Sequence, residues 1–492
     1  MNDHTFTVLE YYRLLELLAA AAQSAPGKSL ARALRPVGNE PPSLTAPIGG
    51  GHGQLGTLAW RRPLWAALVE LQRSAISPPG VSYESPAAIL KRAAPSEAVL
   101  EPVDFVELIK MLAAVAGLRQ FLHGLARPGN ALADLAVALS PCTEFARRLE
   151  HVFDPDGRVR DDATPKLAEL RRRRATLERR IVSRLEALFE VADLADSFQE
   201  RFVALRSERF VIPVRRERRA KLRGIVHDQS NSGRTLFIEP ELTHEDGNEL
   251  ASLRLEERDE IRRLLGELSD QVRVLSPGLA RNDQLLAEYD LARAIGRWAD
   301  QAQAEFPEFG DEIELLEARH PLLWHRLQQV GKEAELVPLT LHIGSSYRGL
   351  VITGANTGGK TVVLKTIGLL ALMAQTGLPI PAETHSRMRV FPAILADIGD
   401  EQSIAQNLST YSGHLRQVRE ILATSSHTPC LILLDELGAG TDPVEGGALG
   451  CALLEALAER PSMTLASTHL GTIKQFVAEH TTLLNAAMRF NL

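Results

Sequence analysis

A chain of 492 residues is too long for one ordinary hydrophobic core, and on size alone it divides into two to four domains. An apolar fraction of 45% beside 24% charged residues belongs to a folded globular protein and excludes wholesale disorder. The net charge of −7 excludes a polycation, so any surface for nucleic acid has to be local.

The start, Met1-Asn2-Asp3-His4, has neither the basic region nor the apolar run of a secretion signal. The most apolar stretch, Thr366 to Ala382, carries Gly368, Gln375, Thr376, Gly377 and two prolines, so no membrane span is expected. Cys142, Cys430 and Cys451 are too few and too scattered for a disulfide framework or a zinc site, and the expected location is a reducing cytoplasm.

Residues 1–160 alternate helical patterns with breaks. Leu9, Leu14, Leu15 and Leu18 have roughly helical spacing, as do Phe105, Leu108, Leu112 and Val115, while Pro41 to Gly53 reads as a loop. Phe105-Val106-Glu107 and His52-Gly53-Gln54-Leu55-Gly56 look like fragments of DNA-reading and nuclease motifs. The first sits inside a helical pattern and the second is only Gly-rich, so both are read as structural.

From Lys166 a long helix is predicted, with Leu170, Leu177, Ile181, Leu185 and Leu188 on one face. A matching helix is predicted from about Leu250 to Leu275. Between them, Phe202–Leu205, Phe210–Val214, Gly224–Val226 and Thr235–Ile238 are short β-type runs broken by Gly and Pro. Two helices bracketing a β-rich insert describe an antiparallel arm with a tip. Lys166 to Arg223 holds 17 Lys/Arg against 9 Asp/Glu. A basic arm on an acidic body points to phosphate contact, since Lys and Arg that displace condensed counterions supply most non-specific affinity for nucleic acid. The candidates near the tip are Arg215, Arg216, Arg218, Arg219, Lys221 and Arg223.

From about Glu312 strands and helices alternate, as a parallel α/β sheet requires. The strand-like Leu350-Val351-Ile352-Thr353 runs straight into Gly354-Ala355-Asn356-Thr357-Gly358-Gly359-Lys360-Thr361, which matches G-x-x-x-x-G-K-[ST]. The glycines let successive backbone N–H groups turn inward around a phosphate, and the following helix adds its positive end. Lys360 can reach the β- and γ-phosphates of ATP, and the Thr361 hydroxyl can ligate Mg²⁺. A second apolar strand, Leu431 to Leu434, ends in Asp435 and Glu436. Asp435 is expected to hold the metal shell from the neighbouring strand end, and Glu436 to orient or deprotonate the attacking water.

Smaller elements follow the ABC-type order of P-loop ATPases. Gly438 to Pro443 forms a tight loop behind the carboxylates, and Met463 to Ala466 leads to Ser467-Thr468-His469, placing His469 at a strand end near the γ-phosphate. Upstream, Asp397 to Ser403 leads into Leu408-Ser409-Thr410-Tyr411-Ser412 and a helix. In that plan Ser409 touches the γ-phosphate held by another subunit.

In this order the motifs resemble the MutS family of DNA-repair ATPases, and most closely its bacterial type-two branch. Gly354–Thr361, Asp397–Ser412, Leu433–Pro443 and Ser467–His469 carry the resemblance, with Glu317-Ala318-Arg319-His320-Pro321 and, in the arm, Phe210–Val214 and Gly224–Pro240. The resemblance implies a multi-domain α plus α/β protein: a helical core over residues 1–160, lever helices over 161–305 with a clamp insert at about 202–245, and a P-loop ATPase domain over 306–492. It implies a homodimer with composite ATP sites that binds branched or mismatched DNA and restrains recombination, or that splits stalled, collided ribosomes; a truncated ATP-binding module without turnover is the remaining alternative. Type-two proteins usually continue into a coiled coil and an Smr nuclease domain. This sequence ends at Leu492, so an incomplete ATPase domain and no endonuclease activity are expected.

Overall fold

A computed structural model describes residues 3–37, 58–125, 130–344, 346–354, 359–399 and 407–488, without the side chains of 407–413. The loop expected at Pro41–Gly53, the His52–Gly56 motif, Ala355–Gly358 and Asp400–Ser403 therefore lie outside the described residues. Two compact units are formed. One comprises Pro86–Ala113 and Pro141–Ala280, the other Met1–Ser85, Ala114–Ser140 and Arg281–Leu492.

The first unit contains the arm. Its leading helix, Pro165–Leu188, opens on Thr164, whose hydroxyl accepts the Leu167 N–H at 3.0 Å, and on a proline in the first turn, where the missing N–H costs nothing. Leu170, Leu177, Ile181 and Leu185 form its buried stripe, packed with Leu250 and Leu253 of the returning helix and with Ile212, Val214 and Ile238 of the insert. The insert is a four-stranded antiparallel sheet in the order Ala204–Arg206, Arg209–Arg215, Thr235–Pro240, Gly224–Gln229, with Ile212 opposite Ile238. The returning helix is far longer than the apolar periodicity predicts: it runs from Glu241 to Ala302, and from Arg281 onward it belongs to the second unit. Its first turns escape a hydrophobic reading because buried Thr243 and Asp246 stand there. Its last turns escape because Leu285, Leu286, Tyr289, Leu291, Ala292 and Ile295 are buried on several sides at once.

The second unit is built on a five-stranded, all-parallel sheet. Its order is Ala393–Asp397, Cys430–Leu434, Met463–Thr468, Gly349–Thr353, Leu483–Ala487. The three inner strands are buried along their whole length, which is why they read as unbroken apolar runs rather than alternating ones. The strand ending before Asp435 is not the immediate neighbour of the P-loop strand, as the sequence reading expects. Met463–Thr468 lies between them. A smaller sheet in this unit orders Glu308–Phe309, Arg387–Met388, Ile313–Ala318 and Leu339–Ile343.

The N-terminal helices pack onto this same unit. Asp3–Val8 lies on the outer strand Ala393–Asp397, where the Thr5 hydroxyl donates to the Ile394 carbonyl at 3.2 Å and covers a sheet edge. The Tyr11 and Thr376 hydroxyls meet at 2.7 Å, and Leu9 fills the space left by Gly368. Phe105 is fully buried within the helix Pro102–Leu125, in keeping with its structural reading. Among the described residues no helix is long and apolar enough to cross a membrane.

Candidate functional site

The strand register sets the site. Thr353 stands level with Thr468, and Leu434 with Ala466, so Gly354, His469 and the Asp435-Glu436 pair all emerge at the carboxyl end of the parallel sheet. That is where open α/β sheets bind their ligands. Gly354 (φ 145°) and Gly359 (φ 80°) flank the loop in conformations that a side chain disfavours, and Lys360 begins a 17-residue helix directly after it. Lys360 is buried at 3% exposure, with its ammonium folded back onto the Gly354 carbonyl.

Asp435 is held by neutral donors. The Ser467 hydroxyl donates to its Oδ1 and accepts the Glu436 N–H at 2.9 Å, and Glu436 N–H also reaches Asp435 Oδ1 at 3.2 Å. Ser467 is wholly buried, so one hydroxyl fixes both carboxylate residues from the interposed strand. The chain beyond is stitched to that strand as well: Leu437 N–H donates to Ser467 O at 2.7 Å and the Thr468 hydroxyl to Leu437 O at 2.9 Å. Glu436 adopts φ 49°, a left-handed conformation that costs a non-glycine residue on the order of 1 kcal/mol and turns its side chain out of the strand alternation. The tight loop expected at Gly438–Pro443 is present. Gly438 (φ 84°) lets the chain fold onto Gly446, and Asp442 caps the helix Pro443–Ala458 through the N–H groups of Val444 and Glu445.

On the other flank, Asp435 N–H donates to Asp397 O at 2.9 Å. The Asp397 carboxylate meets His414 Nδ1 at 2.9 and 3.0 Å and raises the imidazole's pKa above its usual value, against the opposing effect of burial. His414 belongs to the helix Asn407–Ser425, which has Ser409 in its first turn. Sequence reasoning did not single out Ser467 or His414. Ser467 had a signal, a serine ending an otherwise apolar strand; His414 had none, because its partner lies 17 residues upstream on a separate strand.

By type, the carboxylate of Asp435 and the hydroxyl of Thr361, which follows Lys360 in the first helical turn, are oxygen donors of the kind a small hard cation takes. Among the described residues no cluster of three His, Cys, Asp or Glu side chains could hold a metal unaided.

The basic tip residues lie in the first unit. Arg215, Arg216, Arg218, Lys221 and Arg223 are exposed, whereas Arg219 is half-buried and donates to the carbonyls of Leu222 and Gly224 at 2.6 Å each. The helix charge is less available than its count implies. Arg171 and Arg174 meet Glu257, and Arg180 and Arg184 meet Asp246 at 2.5 and 2.6 Å. These carboxylates come from the returning helix, where residues 241–280 carry ten Asp/Glu against five Lys/Arg. Much of the arm's positive charge is therefore neutralised inside the arm.

A buried parallel sheet with a Gly-flanked loop, a lysine opening the next helix and two carboxylates at a nearby strand end defines an α/β nucleotide-binding domain. The family model for MutS domain V matches residues 350–491. Along its whole length the chain is 37% identical to an endonuclease MutS2 of Pelotomaculum thermopropionicum and 38% identical to one of Symbiobacterium thermophilum, covering 60% and 59% of those proteins. A third MutS2, from Halalkalibacterium halodurans, is 40% identical over 78% of this chain and 49% of its own length. The chain belongs to the MutS family, on its type-two branch, and spans about three fifths of the first two of these relatives.

Proposed function

We propose that the protein is a DNA-binding ATPase that hydrolyses ATP at a composite site between two copies of itself and uses the cycle to clamp branched or mismatched DNA, restraining recombination. The observation that carries this is the convergence of Lys360, Asp435, Glu436 and His469 at one end of the parallel sheet, with Ser467 locking the two carboxylate residues.

Lys360 and the loop amides from Gly354 to Gly359 bind the β- and γ-phosphates. Thr361 and Asp435 hold the Mg²⁺ that offsets phosphate charge. Glu436, turned out by its left-handed backbone, accepts the proton of the attacking water, and His469 donates a hydrogen bond towards the γ-phosphate. Ser409 completes the site of the opposite copy. The helical core, the lever and the clamp with Arg215, Arg216, Arg218, Arg219, Lys221 and Arg223 form the DNA-holding part, which opens or closes with nucleotide state.

The deciding experiment is ATP turnover by the purified chain with and without a four-way DNA junction, beside Lys360→Ala. Lys360-dependent turnover that responds to the junction supports the reading. Turnover that responds instead to ribosomes moves the substrate, and bound nucleotide without turnover reduces the chain to a binding module.

A further inference from the structure

Ser409 has to be presented to a nucleotide held by another copy, so its helix must be anchored to something that itself stays in register with the reaction centre. Among the described residues of the helix Asn407–Ser425, His414 makes a polar contact at the carboxyl end of the sheet. His414, a little over one turn beyond Ser409, points its Nδ1 at both oxygens of Asp397, at 2.9 and 3.0 Å. With two carboxylate oxygens at that distance, Nδ1 must carry the proton and donate it. Asp397 is the last residue of its strand, and its carbonyl accepts the Asp435 N–H at 2.9 Å. The path from Ser409 to the Asp435-Glu436 pair thus runs through one helical segment, one side-chain pair and one backbone hydrogen bond. Asp397 is buried, whereas the His414 side chain is 37% exposed, so the imidazole is not needed to fill a core.

We infer that Asp397 and His414 are a positioning pair for ATP hydrolysis, tying the helix that presents Ser409 to the strand end that carries Asp435 and Glu436. The inference rests on the ATPase reading above. It assigns the pair to turnover and not to nucleotide capture, because neither residue belongs to the phosphate loop.

The test uses the whole chain, with a fluorescent ATP analogue for affinity and phosphate release for turnover. His414→Ala and Asp397→Ala each lower kcat about tenfold, the loss expected when one charge-assisted hydrogen bond is removed, while analogue affinity stays within about twofold. The double variant is no slower than either single one, as for two residues acting through one contact. Asp397→Asn, which keeps an acceptor for the imidazole N–H, recovers most of the rate and guards against a folding defect in Asp397→Ala. Wild-type rates in His414→Ala, losses that multiply in the double variant, or a loss of affinity in place of kcat would each overturn the pair. Failure of the wild-type chain to turn over ATP in a Lys360-dependent way overturns the ATPase reading first, and the pair with it.

Discussion

Asp246 in the arm and Asp435 in the nucleotide unit are buried to the same degree, at 7% and 8% exposure, but they are satisfied in opposite ways. Asp246 lies between the guanidinium groups of Arg180 and Arg184. Asp435 meets a hydroxyl and a backbone N–H, and among the described residues it forms no ion pair. A carboxylate already flanked by two cations has its charge cancelled locally and holds helices together. One oriented by neutral donors has no cation beside it among the described residues, and its charge is left to attract one. The difference separates scaffold from site more sharply than burial does.

The largest test of that contrast is at Glu436. Glu436→Gln should lower ATP turnover by about a hundredfold or more while leaving nucleotide binding intact, because it removes the proton acceptor and keeps the shape. Turnover equal to wild type in a phosphate-release assay would remove Glu436 from the mechanism.

Acid should distinguish the two units next. In the nucleotide unit, burial pushes His320 down from 6.5 to about 4, while its Nδ1 accepts the Leu323 N–H at the start of a helix. The unfolded chain therefore binds a proton that the folded one refuses. Stability should fall as the pH drops from about 6.5 to about 4, by on the order of 3 kcal/mol. His320→Asn, which keeps the cap without titrating, should flatten that slope in denaturant melts. In the arm, hydrogen bonding from Arg263 holds Glu260 down at about 2, so its contribution persists above 4.5 and fades only as the pH falls towards 2. Hydrogen exchange across pH 6 to 4 should show the nucleotide unit loosening before the arm.

Asp246→Asn should destabilise the arm by about 1–2 kcal/mol, a value reduced from that of a fully buried pair because both arginines are about half exposed. The same change removes the charged partner of Arg184 and one of the two of Arg180, which keeps Glu249 at 3.6 Å, so DNA affinity should rise and its salt dependence steepen. A smaller effect is expected at Arg218, which is exposed at the tip: Arg218→Ala should weaken binding evenly across DNA sequences and reduce the salt slope by about 1.

How much was legible in the sequence differs between the same two regions. The strand-end positions of Gly354, Asp435, Glu436 and His469 were readable because each is a contiguous signal at the end of an apolar strand. The interposed strand Met463–Thr468 was readable as a strand but not by position, since sheet order is set by crossovers that leave no local mark. The arm's helices and strands were readable from periodicity, except where the long helix buries Thr243 and Asp246 at one end and is apolar on several sides at the other. Its charge was misjudged, because the carboxylates that neutralise Arg171, Arg174, Arg180 and Arg184 stand more than 60 residues away. The Asp397–His414 contact had no sequence signal at all.

The seating of the first helix on the outer strand of the nucleotide sheet sets a timetable for the newborn chain. Thr5 cannot find the Ile394 carbonyl, nor Tyr11 the Thr376 hydroxyl, until nearly four hundred residues have been made. At bacterial or slower elongation rates that is a wait of roughly 20 to 80 seconds. Throughout it Phe6, Leu9 and Tyr11, which end up buried, lack the outer strand and the helix Lys360–Thr376 on which their segment will pack. The outer strand in turn emerges when its cover has already been made, so its open edge is exposed only briefly.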